Sequence, residues 1–398
     1  MWTKFRHKAV FAILKPFFRL FLRWHYGFHA KKFPITKKPF LILFNHQTSF
    51  DPFMVSMSFN CPIYFLATDD IFSLRILSPI IRYLVAPIPK SKSYRDFQAI
   101  KNVITVAEEG GVISLSPEGN RTYDGKLCNV DPAIVKLIKH LNIPLCLYTI
   151  KNGFGVSPRF SPYVRKGRMT GEVAKYLDEQ DIAQLSNDEL YQEIVSTLNV
   201  DEFSSDQLFK SSHRAEYMER AVFFCPVCKR VSTLHSHRDK ITCDHCGLEV
   251  VYNENLQLTN NNPMFKFQYL WEWLEYQKDY LLQLDLSENR ELFRDEKVTL
   301  KEVIKNRYKN KLLTGRLIMD YLHIKVTNGE KTITFPIDDI ISMAVMGQNK
   351  LNIYLGKAIF QIKASPRFNA LKYMQLYFRI KNEKKGVKNG DLARFLGI

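Results

Sequence analysis

Residues 40–52 read FLILFNHQTSFDP, an apolar run that ends in a polar loop containing His46 and Asp51. The apolar run is typical of a buried strand. The loop that follows such a strand lies at the edge of the sheet, where α/β folds place their chemistry. We therefore expect His46 and Asp51 at a sheet edge, with Asp51 as the N-cap of a helix that begins at Pro52.

A second stretch, residues 112–122, has the same layout and reads VISLSPEGNRT. Gly119 would let the backbone approach a ligand closely, and the guanidinium fork of Arg121 suits a phosphate. A histidine is the usual general base near neutral pH, and a carboxylate on its second nitrogen fixes the tautomer. His46 and Asp51 together could therefore deprotonate a hydroxyl group.

The fold class predicted for residues 39–185 is α/β. Short apolar runs at 39–44, 62–67, 112–115 and 144–150 indicate buried strands. Helical patterns at 97–109 and 131–142 alternate with them, the second with Asp131 as its N-cap and Pro132 at its first position. Alternating strands and helices favour a layered domain with a largely parallel sheet.

Both polar loops resemble motifs of the lysophosphatidic acid and glycerol-phosphate acyltransferase family. The motif of Asn-His, four residues and Asp matches Asn45, His46 and Asp51. The motif Pro-Glu-Gly-x-Arg is matched by Pro117, Glu118, Gly119 and Arg121. The two motifs occur in the family's order, each after a predicted strand, and the resemblance covers roughly residues 1 to 180.

This resemblance implies the reaction and the roles of the motif residues. His46 takes the proton from a hydroxyl of the acceptor, Asp51 orients His46, and no covalent acyl-enzyme forms. The acceptor oxygen attacks the thioester of acyl-CoA or acyl carrier protein. The expected acceptor is a lysophospholipid, first of all 1-acyl-glycerol-3-phosphate, which would become phosphatidic acid. The substrate-binding residues implied are Lys90, Glu118, Gly119 and Arg121.

One motif departs from the family's pattern. Its members usually hold the acceptor phosphate with the arginine of an Ile-Asp-Arg sequence, whereas residues 86–92 read APIPKSK, so Lys90 is the nearest counterpart. Lysine keeps the charge but lacks the bidentate fork, which leaves the acceptor headgroup open. Two roles also remain open for Glu118, a substrate contact or a turn residue that satisfies backbone donors.

The first 38 residues are basic and amphipathic. They contain ten basic residues and no acidic residue, interleaved with many large apolar side chains. This mixture suits a bilayer interface with anionic headgroups, and no uncharged stretch approaches the roughly 20 residues that span a membrane. We expect helices that rest on the cytoplasmic side of a membrane as a peripheral anchor. The alternative is an amphipathic helix that packs on its own domain.

Four of the seven cysteines form two pairs with the spacing of a zinc ribbon, namely Cys225, Cys228, Cys243 and Cys246. Four thiolates complete a tetrahedral site and leave no open position, so the predicted Zn²⁺ within residues 221–255 is structural. No secretory signal precedes them, which favours a reducing compartment over disulfides. Such ribbons also dock nucleic acids or proteins, although a folded spacer is favoured here.

The remaining chain predicts three further parts. Residues 186–220 indicate a helical connector, and residues 263–285 indicate an aromatic helix. Residues 290–385 contain successive short strands and a closing helix, and they resemble a pleckstrin-homology (PH) or GRAM-like domain. Such domains often bind lipids. A basic run at its entrance consists of Lys305, Arg307, Lys309, Lys311 and Arg316.

Two competing functions follow from the same sequence. The 57 Lys and Arg residues against 40 Asp and Glu give a net charge of +17, which favours a polyanionic partner, either nucleic acid or an anionic phospholipid surface. A zinc-ribbon nucleic-acid protein is disfavoured because the basic N-terminus is rich in aromatic residues. A catalytically inactive lipid-binding scaffold is disfavoured because both motifs are intact. The expected partners are therefore a membrane surface, a lysophospholipid and, as one donor, acyl carrier protein.

Overall fold

Apolar strands and amphipathic helices alternate through the first half of the chain, and antiparallel strands dominate the second half. The computed structural model describes residues 2–34, 37–68, 77–90, 96–287, 290–304, 308–387 and 394–398. They form two compact units, the first with Met1–Ser91, Arg95–Arg159 and Val164–Ser211, the second with Phe160–Tyr163 and Ser212–Ile398. Within the described ranges, no helix is long and apolar enough to cross a membrane.

The first unit is a mixed α/β layer. Its elements are α1 (Phe5–Tyr26), β1 (His29–Ala30), β2 (Leu41–Phe44), α2 (Asp51–Ser56), β3 (Ile63–Thr68), α3 (Leu77–Leu84), β4 (Ile88–Lys90), α4 (Phe97–Glu108), β5 (Val112–Leu115), α5 (Ala133–Leu141), β6 (Leu145–Lys151), α6 (Gly153–Val156), β7 (Thr170–Leu177), α7 (Glu179–Gln184) and α8 (Asn187–Leu198). The sheet order is β1-β7-β6-β2-β5-β3-β4. Among the strand pairs in the described part of this sheet, only β6 and β7 are antiparallel, which confirms the largely parallel sheet.

The centre of this sheet is apolar on both faces. All residues of β2 and β5 are buried, because helices cover both sides of a parallel sheet. Leu41 and Leu43 share a core cluster with Ile113, Leu145 and Val103, the last of which is on α4. Since β2 lies between β5 and β6, the loops that follow these three strands begin side by side.

Several predicted helix boundaries differ from the structure, among them that of the aromatic helix predicted for 263–285, which spans Leu270–Gln283. Helix α2 begins at Asp51 itself, with Phe50 as its N-cap, and α5 begins at Ala133 after Pro132. Asp131 instead accepts a hydrogen bond from the backbone N–H of Ala133 at 2.9 Å. The prediction of a helix through residue 220 is wrong, because α8 ends at Leu198 and only Met218–Arg220 forms a further, 3-10 turn.

Helix α1 packs one face on the first unit and exposes the other. On its inner face Leu22 is fully buried and Phe18 stacks on Phe53 with ring centroids 4.3 Å apart. At its N-terminus the Glu109 carboxylate accepts hydrogen bonds from the backbone N–H groups of Trp2 and Thr3, both at 2.7 Å. The alternative that the N-terminal helix packs on its own domain therefore holds for one face of α1. The opposite face exposes the large apolar side chains of Phe5, Ile13, Phe17, Leu20 and Trp24.

The second unit is antiparallel. Its elements are β8 (Leu234–His237), β9 (Lys240–Cys243), β10 (Glu249–Tyr252), β11 (Leu258–Asn260), α9 (Leu270–Gln283), β12 (Phe293–Ile304), β13 (Tyr308–Met319), β14 (His323–Thr327), β15 (Thr332–Pro336), β16 (Ser342–Met346), β17 (Lys350–Leu355), β18 (Ala358–Lys363) and α10 (Leu371–Lys384). The small sheet has the order β11-β10-β9-β8, and the larger one has the order β15-β14-β13-β12-β18-β17-β16.

The sequence pattern did not predict β12, because charged residues such as Arg294, Glu296 and Lys297 interrupt its apolar alternation. The next two strands, β13 and β14, form an antiparallel hairpin. Lys305 and Arg307 of the predicted basic run lie outside the described residues.

A buried ion pair joins separate parts of the second unit. Lys372 on α10 is only 2% exposed, and its Nζ lies 2.6 Å from Oδ2 of Asp295 on β12. The same lysine donates to Oγ of Ser232 at 2.9 Å, and the hydroxyl of Tyr373 donates to Asp295 at 2.6 Å. Asp295 therefore links β12 to α10, and Lys372 also links α10 to the loop before β8.

Asp295→Asn should lower the free energy of unfolding of the second unit by about 3 kcal/mol, because it leaves the Lys372 ammonium buried without an anionic partner. The control is Asp338→Asn, whose carboxylate is 69% exposed and pairs with Lys384 at 2.9 Å. An exposed pair of this kind contributes about 1 kcal/mol or less. Urea unfolding followed by near-UV circular dichroism measures both variants, and equal losses would contradict the role of Asp295.

Candidate active site

Three loops meet at the carboxyl ends of neighbouring parallel strands. β2 pairs in parallel with β5 and with β6, in a register that sets Leu43 opposite Leu115 and Leu147. The loops that follow β2, β5 and β6 therefore begin at one sheet edge, as α/β folds arrange their sites. We call them the first loop (45–50), the second loop (116–132) and the third loop (152–169), and α6 lies at the start of the third.

His46 and Asp51 form the pair that the first motif predicted. Nδ1 of His46 lies 2.8 Å from Oδ2 of Asp51, whose side chain is fully buried. The Asp51 carboxylate also accepts hydrogen bonds from the backbone N–H groups of Gln47 at 2.7 Å and Thr48 at 2.8 Å, and from the Thr48 hydroxyl at 2.7 Å. Asp51 therefore folds the first loop around itself instead of capping α2, and this fixes the imidazole ring.

Asn45 attaches the first loop to β6. Its side-chain amide donates to the carbonyl of Ile150 at 2.8 Å and accepts from the Ile150 N–H at 2.7 Å. The two bonds imitate a strand pairing one residue beyond the end of β2. Asn45, the residue before the histidine in the motif, thus fixes the start of the first loop against β6.

Glu118 connects the first loop to the second. It is 8% exposed, and its Oε1 accepts a hydrogen bond from the backbone N–H of His46 at 2.5 Å. Its Oε2 accepts from the backbone N–H of Cys128 at 2.8 Å. Burial raises the pKa of the Glu118 carboxyl to about 7. Of the two roles left open by the sequence, the satisfaction of backbone donors is the one that these contacts display.

Arg121 holds all three loops. Its Nε donates to the carbonyl of Gln47 at 3.2 Å, and its two terminal nitrogens donate to Oγ of Ser49 at 3.2 Å and to the carbonyl of Ser157 at 3.1 Å. Burial, with the neighbouring cation Arg159 adding to it, lowers the pKa of Arg121 to about 10. The guanidinium fork is thus partly used to fix the shape of the site.

The other two predicted substrate contacts are placed differently. Gly119 is exposed with φ +67°, and a Cβ built there would meet no atom within 4 Å, so its backbone borders open space. Lys90 is exposed at the end of β4, which β3 and β5 separate from β2. Three strand spacings amount to about 14 Å. The fold therefore brings Glu118 and Arg121 to the His46 loop but leaves Lys90 at a distance from it.

The sequence interpretation missed the third loop. Gly153 fits closely against the first loop, since a Cβ there would lie 2.4 Å from Cβ of Gln47. Arg159 is 3% exposed, donates to the carbonyl of Arg121 at 2.6 Å and lies over the Tyr123 ring at 4.2 Å. The signal was present, because 152–157 is a glycine-containing polar turn directly after a predicted strand, like the two motif loops.

The four paired cysteines converge in the second unit. The Sγ atoms of Cys225 and Cys246 lie 3.7 Å apart, as do those of Cys228 and Cys243, and all four lie within 4.8 Å of one another. Among the described residues, no other group of three or more potential ligands was found. Tetrahedral coordination with metal–sulfur bonds of about 2.3 Å requires sulfurs about 3.8 Å apart, so these thiols can hold one metal ion.

The two cysteine turns are built alike. The carbonyls of Cys225 and Cys243 accept bonds from the N–H groups four residues later, at Lys229 and Gly247, both at 3.0 Å. Each of these later residues has a positive φ, +58° and +70°. Two matching turns that point their thiols at one centre are the geometry expected of a metal knuckle pair.

The first unit matches a known protein family. Residues 27–151 match the family model described as Acyltransferase. No curated protein has a significant sequence match to the chain. Among solved structures, the chain is similar to the 1-acyl-sn-glycerophosphate (LPA) acyltransferase of Thermotoga maritima, with 17% identity, a TM-score of 0.42 and coverage of 48% of this chain and 78% of that chain. The matched residues include the His46 and Arg121 loops, so this part of the first unit is similar to an acyltransferase core.

Proposed function

We propose that this protein transfers a fatty acyl group from acyl-CoA or acyl carrier protein to the free hydroxyl of a lysophospholipid. The proposed acceptor is 1-acyl-glycerol-3-phosphate, and the product is then phosphatidic acid. The observation that carries the proposal is the 2.8 Å contact between His46 and the buried Asp51 inside the acyltransferase core. A general base held by a buried carboxylate is what the attack of a hydroxyl on a thioester requires.

The proposed reaction uses His46 twice. Its Nδ1–H donates to Asp51, which assigns proton transfer to Nε2. Nε2 takes the hydroxyl proton as the acceptor oxygen bonds to the thioester carbonyl carbon, and Asp51 stabilises the imidazolium that forms. When the tetrahedral intermediate collapses, the carbon–sulfur bond breaks and the imidazolium returns the proton to the departing thiol. The acyl group moves directly from sulfur to oxygen.

The proposed acceptor site lies between the three loops. An arginine has five N–H donors, and the structure uses Arg121 to hold the loops while keeping its cation beside His46. We assign the acceptor phosphate to Arg121 and to the exposed backbone at Gly119. Lys90 is proposed to attract the same phosphate as a second, more distant cation at this edge of the sheet. Glu118 acts through the backbone of His46.

The proposed location is peripheral, on the cytoplasmic side of a membrane. The exposed apolar side chains of α1 form one stripe, with Phe17 67%, Leu20 69% and Trp24 81% exposed. The exposed basic residues Arg19 and Arg23 lie beside this stripe. Apolar groups that enter the acyl boundary next to cations that meet anionic headgroups are typical of an interfacial helix.

The metal proposed for the four-cysteine site is structural Zn²⁺. The sulfurs of Cys225, Cys228, Cys243 and Cys246 lie within 4.8 Å of one another, and zinc prefers four such soft thiolate ligands in a tetrahedral site. A complete set of four protein ligands leaves no position for a substrate. We further propose that the larger sheet with α10 is a PH or GRAM-like module that contacts lipid.

His46→Ala should reduce turnover about 100- to 10,000-fold, because it removes the general base. Purified variants are assayed with 1-acyl-glycerol-3-phosphate and acyl-CoA, and separately with acyl carrier protein as donor. His140→Ala, which removes an exposed histidine from α5, is the control and should keep wild-type turnover. More than a tenth of wild-type turnover in a folded His46→Ala variant would end the assignment of the base.

Replacing Phe17, Leu20 and Trp24 together by Ala should weaken binding to phosphatidylglycerol-containing vesicles at least about 100-fold, since each loses apolar area that the interface would bury. The buried face of α1 is untouched by these changes. A double Ala variant of Met264 and Ile341, exposed apolar residues of the second unit, serves as the control in vesicle sedimentation. If the control variant, and not the α1 variant, is released from the vesicles, the membrane contact belongs to the second unit.

Metal analysis of the purified, reduced protein should find one zinc per chain. Cys228→Ser and Cys246→Ser should each lower the zinc content below about a tenth, because three thiolates hold zinc far more weakly than four. Cys61→Ala is the control, since Cys61 is a buried cysteine of the first unit. A wild-type protein without zinc after growth in metal-replete medium would refute the ribbon.

A further inference from the structure

Residues 201–210 follow α8 and lie beyond the part of the chain that matches the family model. They have almost no regular secondary structure, yet they belong to the first unit, and Glu202 and Phe209 are each 1% exposed. We call these ten residues the strap. A buried carboxylate in such a segment requires hydrogen-bond donors, because burying an unsatisfied polar group is costly.

The Glu202 carboxylate satisfies the backbone of the third loop. Its Oε1 accepts a hydrogen bond from the N–H of Asn152 at 2.8 Å, and its Oε2 accepts one from the N–H of Phe154 at 3.0 Å. Both oxygens are therefore spent on the turn between β6 and α6. The contacts cross about fifty residues of sequence and fix the point at which the third loop leaves the sheet.

Aromatic side chains of the strap fix the other side of the same turn. The Phe209 ring lies where a side chain at position 155 would be, since a Cβ on Gly155 would come within 2.4 Å of it. The Phe203 ring lies 6.0 Å from that of Phe154, centroid to centroid. Gly155 is thus needed for close approach, and the strap and α6 are packed as one piece.

The turn that the strap holds is in contact with the catalytic loops. Gly153 presses against Gln47, whose backbone N–H donates to the Asp51 carboxylate at 2.7 Å. The carbonyl of Ser157 accepts a hydrogen bond from Arg121 at 3.1 Å. A continuous chain of contacts therefore runs from Glu202 through α6 to Arg121 and to the loop of His46.

We propose that Glu202 is a positioning residue of the active site and that the aromatic side chains Phe203 and Phe209 of the strap support it. Glu202 sets the place of Ser157, and through it the direction of the Arg121 guanidinium. The kinetic part of this inference rests on the proposed function, in which Arg121 binds the acceptor phosphate. A displacement of about 1 Å at such a group can cost on the order of 100-fold in rate.

The test compares Glu202→Gln with Asp206→Asn. The first change puts an amide NH₂ against one of two backbone donors, whereas the second makes the same replacement of an acid by its amide at an exposed residue of the strap. With 1-acyl-glycerol-3-phosphate and acyl-CoA, Glu202→Gln should raise the KM for the acceptor at least about fivefold and leave the KM for acyl-CoA unchanged. Asp206→Asn should match the wild type. A fall in melting temperature with both KM values unchanged would refute positioning.

A second measurement does not depend on activity. Amide hydrogen exchange of a peptide covering 152–157 should quicken at least about tenfold in Glu202→Gln, because one of the two backbone hydrogen bonds that Glu202 accepts is lost, and not in Asp206→Asn. If the wild type transfers no acyl group, the proposed function fails and exchange alone decides the strap. If Glu202→Gln does not fold, Phe203→Leu takes its place with the same expected results. Unchanged exchange in the folded variant would overturn the inference.

Discussion

The backbone N–H groups of the loops after β2, β5 and β6 need hydrogen-bond acceptors, because these loops are largely buried at the edge of the sheet. Three carboxylates supply acceptors for six of these N–H groups. Asp51 accepts from Gln47 and Thr48, Glu118 from His46 and Cys128, and Glu202 from Asn152 and Phe154. The shape of the candidate site depends on this constraint more than on the apolar core beneath it.

The three carboxylates differ in what else they do. Asp51 also accepts from the imidazole of His46, so one group both builds the loop and orients the base. Glu118 and Glu202 each accept hydrogen bonds from two backbone N–H groups, and burial raises the pKa of each, to about 7 and about 8. Arg121 supplies a compensating cation and joins the loops from the outside. The burial of these groups is tolerated because each of their six oxygens accepts at least one hydrogen bond.

The sequence could predict the parts of this arrangement that are local. The strands before His46 and Glu118 are short uninterrupted apolar runs, and the motif spacing brought His46 and Asp51 together correctly. It could not predict the part played by Glu202, because that contact joins positions about fifty residues apart and no periodicity reports it. It also placed Lys90 by analogy with a motif, whereas its distance from His46 follows from strand order, which a motif does not contain.

In the second unit, neutral side chains satisfy the buried backbone groups near the first cysteine turn. Gln277 on α9 is fully buried, accepts from the N–H of Phe223 at 2.7 Å and donates to the carbonyl of Ala221 at 3.2 Å. Trp273 donates to the carbonyl of Phe224, the residue before Cys225, at 3.0 Å. A carboxylate at this place would repel the thiolates that a metal requires, whereas an amide and an indole fix the same backbone without added charge. The aromatic helix α9 therefore supports the first cysteine turn. Its neutral contacts suit thiolate ligands, whereas the carboxylates of the first unit suit a histidine that becomes positively charged.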